Sequence, residues 1–222
     1  MENQRPLVYE VPHKAIRYAL SQFSLLAGNT DYNDTDEMEK LKVLADEVFK
    51  MLDSHANHEN NVPLKYLEMK LSGGSAHDKE DHERIESEMY KLEETLKDLY
   101  KRSGDGEDLK YPGNDFYTQF SDFHAQYLQH MLEEERETQP LLWKYFTDEE
   151  LKQQEIEIRS SIPPEEMLLW AKYMFPAFSN SSRIEMLKSI SAAAPEQFYE
   201  AVLKAAESVL PSDVFKKLKK EI

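Results

Sequence analysis

Four long stretches of this chain repeat apolar residues every three or four positions, and each of these stripes runs into a histidine. One series reads His13, Ile16, Leu20, Phe23; a second reads Leu41, Leu44, Val48, Met51, His55. A third reads His82, Ile85, Met89, Leu92, Leu96, Leu99, and a fourth Phe116, Phe120, Phe123, Tyr127, His130. Alternating three- and four-residue steps place a single apolar stripe on a helix that faces a core. The stripes predict helices over about 12–27, 36–70 (with a break at Pro63), 78–102 and 114–145. Polar turns at 29–35, 72–75 and 103–113 separate them. With only 6 glycines and little strand-like alternation, the expected fold class is all-α, an up-down-up-down four-helix bundle.

The character changes after a helix-breaking SSIPP at 160–164. MLLWAKYMF, EMLKSI and FYEAVLKAAESVL are shorter amphipathic segments, with a further break expected at 179–182, and KKLKKEI is a basic end, the solvated terminus of a helix. The expected organisation is a bundle over 1–158 and a C-terminal helical extension over 159–222.

Histidine on a core stripe is expensive to bury without partners, and a shared metal ion supplies them. In an up-down-up-down bundle the start of the first helix lies beside the end of the second, the start of the third and the end of the fourth. Counting about 1.5 Å of rise per residue, His13, His55, His82 and His130 reach the same end of the bundle within about two turns. Glu59 follows His55 by four residues and Glu134 follows His130 by four, so each His-x-x-x-Glu offers an imidazole and a carboxylate on one helix face. Two carboxylates between two metals can bridge them. Mixed nitrogen and oxygen ligation suits iron or manganese, with zinc as an alternative. His77 and His124 lie off their stripes and are expected outside the site; His58, one turn beyond His55, is a candidate for its edge. Glu133, Glu135, Asp53, Asp81 and Glu86 read as surface carboxylates. Tyr18, Tyr66 and Tyr127 read as core residues that can lie near the metals.

With no cysteine, disulfides, thiolate catalysis, iron–sulfur clusters and Cys-type zinc sites are excluded. A net charge of -16 repels nucleic-acid phosphates and anionic membranes, so neither is an expected partner. The N-terminus lacks an apolar signal core and no apolar run is long enough to span a membrane, so a cytoplasmic location is expected.

HKAIR at His13, MLDSHANHENNVP around His55, DHERI at His82 and YLQHMLEEERETQPLLWKYFTDEEL around His130 resemble the hemerythrin-like (HHE cation-binding) family over most of residues 7–155. The last piece is similar to the hemerythrin domains of an iron-sensing F-box ubiquitin ligase subunit and of plant hemerythrin–RING proteins. The resemblance implies a di-iron centre held by His13, His55, Glu59, His82, His130 and Glu134, with both glutamates bridging the irons and an oxo group as a further bridge. The oxygen carriers of marine worms have two histidines four apart on the third helix. Here His77 and His82 are five apart, which argues against reversible carriage. The family reading is a non-haem di-iron protein in oxygen or iron sensing, binding or storage. Its ligand would be dioxygen, another small diatomic or peroxide, and its C-terminal helices would meet a protein partner. The alternatives are a di-iron enzyme acting on peroxide, oxygen or nitric oxide, and an acidic structural interaction domain.

Overall fold

The protein is described by a computed structural model over residues 5–222; the first four residues of the expected 1–158 bundle lie outside the described residues. Among the described residues there is no strand. The elements are α1 (Glu10–Asn29), α2 (Thr35–Asn61), α3 (Pro63–Lys70), α4 (Ala76–Gly104), α5 (Lys110–Glu133), a π-helical turn (Glu134–Thr138), α6 (Gln139–Tyr145), α7 (Asp148–Ser161), α8 (Pro164–Ala177), α9 (Asn180–Ala193), α10 (Glu196–Val209) and α11 (Ser212–Leu218). By internal contacts the chain divides into two units. One combines the segment ending at Tyr9 with Ala19–Ile158; the other combines Glu10–Tyr18 with Arg159–Ile222. α1 is a single uninterrupted helix whose two halves are counted in different units.

The first unit is built on the expected stripes. Leu41, Val48 and Met51 of α2, Ile85, Met89, Leu92, Leu96 and Leu99 of α4, and Phe116, Phe120 and Phe123 of α5 are all buried. Phe23, in the second half of α1, is fully buried and meets Phe49, Phe116 and Phe120 edge-on at 5.7, 6.4 and 4.3 Å between ring centroids. Such T-shaped contacts set the positive ring edge against a negative face. The bundle helices start where local chemistry permits. Asp34 caps α2 by accepting from the backbone N–H groups of Asp36 and Glu37 at 2.9 and 3.1 Å, satisfying two donors that have no partner within the helix. Pro63 opens α3 at the first helical positions, where its missing N–H costs nothing, and this is the break expected in the second long helix. The connection expected over 103–113 is shorter than its composition suggests. α4 continues to Gly104 and α5 starts at Lys110, because Pro112 falls in the first turn, where proline is tolerated.

Gly113 shows what that early start achieves. The ring of Tyr32, from the α1–α2 connection, packs against it so closely that a Cβ there would overlap the Tyr32 ring atoms. The Tyr32 hydroxyl donates to the carbonyl of Ala27 at 3.0 Å, and its ring meets Phe116 at 6.3 Å.

The second unit has its own core. Phe175 of α8, Leu187 of α9, Val202 and Ala206 of α10, and Phe215 and Leu218 of α11 are buried together. Ser179 caps α9, its hydroxyl accepting from the Ser182 N–H at 3.2 Å. The basic end does close a helix. α11 turns Phe215 and Leu218 inward and leaves Lys216, Lys217, Lys219 and Lys220 exposed, so the extension contains a fourth short helix beyond the three segments legible in the sequence.

Replacing Gly113 with Ala should therefore push Tyr32 out of place. Overpacking of this kind costs roughly 1–3 kcal/mol, which a urea melt reads directly; an unchanged midpoint would contradict the packing described here.

Candidate metal centre

All six residues on the expected site are buried, none more than 5 % exposed: His13, His55, Glu59, His82, His130 and Glu134. Their ligand atoms fall into two overlapping groups that could each hold a metal ion. The first is His13, His55, Glu59 and Glu134; the second is Glu59, His82, His130 and Glu134. Within each group the ligand atoms lie within 4.8 Å of one another. Both glutamates belong to both groups, so each group is two imidazoles and two carboxylates, and the carboxylates are the shared part.

Helical spacing supplies half of this geometry. His55 and Glu59 are one turn apart on α2, with Nε2 3.2 Å from Oε1. His130 and Glu134 stand one turn apart across the end of α5, at 3.5 Å. His82, on α4, reaches across to both carboxylates, 3.3 Å from Glu59 and 3.5 Å from Glu134. Its ring lies 4.8 Å from that of His130, edge to face.

Glu134 begins the π-helical turn. The Gln139 N–H bonds back five residues to the carbonyl of Glu134. Pro140 follows and has no N–H to give to the turn before it, and this is the local reason for the wider winding. Isolated π-turns inside α-helices are frequent at functional sites. Just beyond it, Gln139 and Trp143 hold the N-terminal segment: the Gln139 side chain accepts from the Val8 N–H at 2.8 Å, and the Trp143 indole donates to the Pro6 carbonyl at 2.8 Å. Arg5 adds an ion pair to Asp148 at 2.7 Å. That strap delivers Tyr9 to the start of α1, one turn ahead of His13.

The electrostatics of the centre follow from two carboxylates in a dry core. Burial works against a charged His82, but Glu134 and Glu59 outweigh it and lift its pKa to about 10. Burial, then Glu134, pushes Asp78 up to about 6. Tyr9 and Tyr127 are raised well above the usual phenol value, first by burial and then by Glu134 and Glu59. Tyr9, Asp78, His82 and Tyr127 are thus driven toward holding a proton. A bound cation would supply the same positive charge, and the donor set fits one: His130 Nε2 is buried without a hydrogen bond, facing a carboxylate oxygen.

Several neighbours support these ligand atoms from behind. Asn60 Oδ1 lies 3.0 Å from His82 Nδ1, so an Nδ1–H donor there leaves Nε2 facing inward, where it holds a proton or would ligate a cation in its place. Asp81 Oδ2 lies 3.6 Å from His130 Nδ1. The Thr138 hydroxyl sits 2.9–3.0 Å from both oxygens of buried Asp78. The sequence carried a signal for three of these neighbours. Tyr9, Asp78 and Thr138 each stand four residues beyond a site residue, so extending the stripes by one more turn finds them. Asp81, half-buried, is more than the surface carboxylate its sequence position suggested.

The remaining histidines sit elsewhere. His58 is half-buried, with Nδ1 3.3 Å from the Ser54 hydroxyl. His124 tilts against Phe120 at 6.0 Å. His77 is exposed and lies 3.3 Å from Glu133. Of the tyrosines named from sequence, Tyr127 lies 5.9 Å from the His130 ring, whereas Tyr66 donates to Glu157 at 3.0 Å and Tyr18 stacks edge-on with Tyr173.

Residues 8–142 match the hemerythrin HHE cation binding domain. The chain belongs to the hemerythrin HHE cation-binding family. Neither a curated protein nor a solved structure matches it. Family membership and the buried His/Glu cluster together establish a cation-binding chain. No helix among the described residues is long and apolar enough to cross a membrane.

Asp78 gives the centre a measurable signature in the metal-free protein. Its folded pKa, about 6, lies above the ordinary carboxylate value, so the protonated form is the one the fold favours. The stability this contributes is present below about pH 4 and is lost as pH rises through 6. Asp78→Asn keeps an acceptor for Thr138 without the charge, and should be more stable than the parent above pH 6 by on the order of 2 kcal/mol. Melts at pH 4 and pH 7.5 check this: the difference should open with rising pH, and a difference that shrinks would contradict the assignment.

Proposed function

We propose that the centre holds two iron ions bridged by Glu59 and Glu134, with His13 and His55 completing one and His82 and His130 the other. The observation that carries this reading is that two four-residue groups share both carboxylates. Bridging is the arrangement in which one carboxylate serves two cations. When bound, such a pair supplies redox and Lewis-acid chemistry toward a small oxygen-containing ligand.

The residues of the chain restrict what that ligand is. Each of the six is almost fully shielded from solvent, which disfavours a bulky substrate and favours a ligand of two or three atoms. Tyr127 and Tyr9 retain their protons beside the carboxylates and offer phenolic hydrogen-bond donors. Asn60 and Asp81 hold the His82 and His130 rings in fixed orientations. We therefore infer dioxygen as the ligand, and a role in sensing, binding or storing oxygen or iron. Metal ties α1, α2, α4 and α5 together, so its loss would loosen the bundle; that coupling is a means of signalling to a protein partner through the C-terminal helices. The enzyme reading, turnover of peroxide, oxygen or nitric oxide, is favoured by the two phenols at the site.

Metal analysis of the purified chain after ferrous loading, with optical spectra taken anaerobically and then in air, tests the proposal. Two irons per chain and a new absorption band on exposure to air are expected; no bound metal after reconstitution would sink it. Rapid consumption of added peroxide would select the enzyme. His82→Ala should lose iron and lower the melting temperature of the loaded protein, while His77→Ala should keep its full complement of buried iron at equilibrium. The opposite pattern would transfer the ligand role to His77.

A further inference from the structure

A second group of potential ligands lies outside the buried centre. His77 and Asp81 stand one turn apart on α4, and Glu133 faces them from the end of α5. Their ligand atoms lie within 4.8 Å of one another, with His77 Nε2 3.3 Å from Glu133 Oε2 and 4.0 Å from Asp81 Oδ2. None of the three belongs to the six residues already described.

Each carboxylate has its second oxygen held by a neighbour. Arg84 binds Asp81 Oδ1 at 2.9 Å, and is itself held by Gln126 at 2.6 Å. Gln129 donates to Glu133 Oε1 at 2.6 Å. Asp81 Oδ2 and Glu133 Oε2 are thereby turned toward His77. A surface acidic cluster would not by itself need this: here two polar side chains orient the oxygens and an imidazole completes a mixed nitrogen and oxygen set suited to a divalent transition metal.

One residue of the buried centre borders the same place. The three residues line an open cavity of about 490 Å³ whose wall also includes His130. His130 is 2 % exposed; its Nε2 faces Glu134 in the buried centre at 3.5 Å, and its Nδ1 faces outward. The oxygen that belongs to the outer trio, Asp81 Oδ2, is also the one that lies 3.6 Å from His130 Nδ1. A single carboxylate oxygen thus touches the outer group and a residue of the inner one.

We propose that His77, Asp81 and Glu133 form an outer binding site for a divalent metal cation, and that the cation waits there before it moves past His130 into the buried centre. The net charge of -16 draws cations to the surface without choosing a place; the trio chooses one. The binding half of the proposal stands on the trio alone, and the transfer half rests on the reading of the buried centre given above.

Manganese titration followed by paramagnetic resonance counts the sites, and stopped-flow loading with ferrous iron times the transfer. Wild type should bind one more manganese ion per chain than His77→Ala or Glu133→Gln. Both variants should load iron into the buried centre several-fold more slowly while reaching the wild-type content of buried iron, and their circular dichroism should match wild type. Equal manganese stoichiometry in all three proteins would overturn the site, and loading of the variants at the wild-type rate would overturn the transfer. A wild-type chain that takes up no iron at its buried centre would defeat the functional reading above instead, and the manganese difference would still decide whether the outer site exists.

Discussion

Glu59 and Glu134 are the constraint from which the rest of the centre follows. Each is a carboxylate in the middle of a helical core, at 4 % and 0 % exposure, and they sit close enough to belong to the same two ligand groups. Taking even one ion out of water costs several kcal/mol, and two of like sign cost more. The chain answers by surrounding them with four imidazoles and two protonated phenols, and by pushing His82 and Asp78 toward their protonated forms. Protons and metal cations are thus alternative occupants of the same electrostatic demand. The helices that carry the imidazoles are held to the carboxylates by whichever occupant is present, so metal content, pH and fold stability are linked in this bundle.

The site was legible in the sequence to the extent that burial was. A helix shows its buried face through its apolar stripe, and a histidine or glutamate on that stripe declares that something in the core needs it. His13, His55, His82 and His130 could be placed this way, and Glu59 and Glu134 followed from the four-residue spacing. The all-α fold was legible for the same reason, as was the helix break at Pro63. What did not show was whatever depends on the register between helices. Asp81 looks like any solvated acidic residue until α4 is set beside α5. Asn60 is polar and follows Glu59, and only the position of His82 on another helix gives it a task. His77 falls off the α4 stripe, and the property that sets it apart, its proximity to Glu133, belongs to no single helix.

Local chemistry that composition cannot reveal accounts for the boundaries that moved. Residues 103–113 are rich in Gly, Asp and Pro and read as one loop, but Pro112 lies where a helix start tolerates it and Gly113 lies where a neighbouring ring needs space. The lysine-rich end reads as the solvated terminus of a helix, and its composition hides that Phe215 and Leu218 share one buried face of α11.

The five-residue π-turn at Glu134 has a further consequence. A wider winding advances the helix axis by less for each residue and rotates everything beyond it relative to an α-helical path. Gln139 and Trp143, which grip the N-terminal strap, stand on the far side of that rotation. Tyr9 hangs from the strap, and His13 is one turn further on. The winding that aims Glu134 therefore also sets the azimuth of the grip on the N-terminal strap, and a single residue gained or lost between 134 and 138 would misalign both at once.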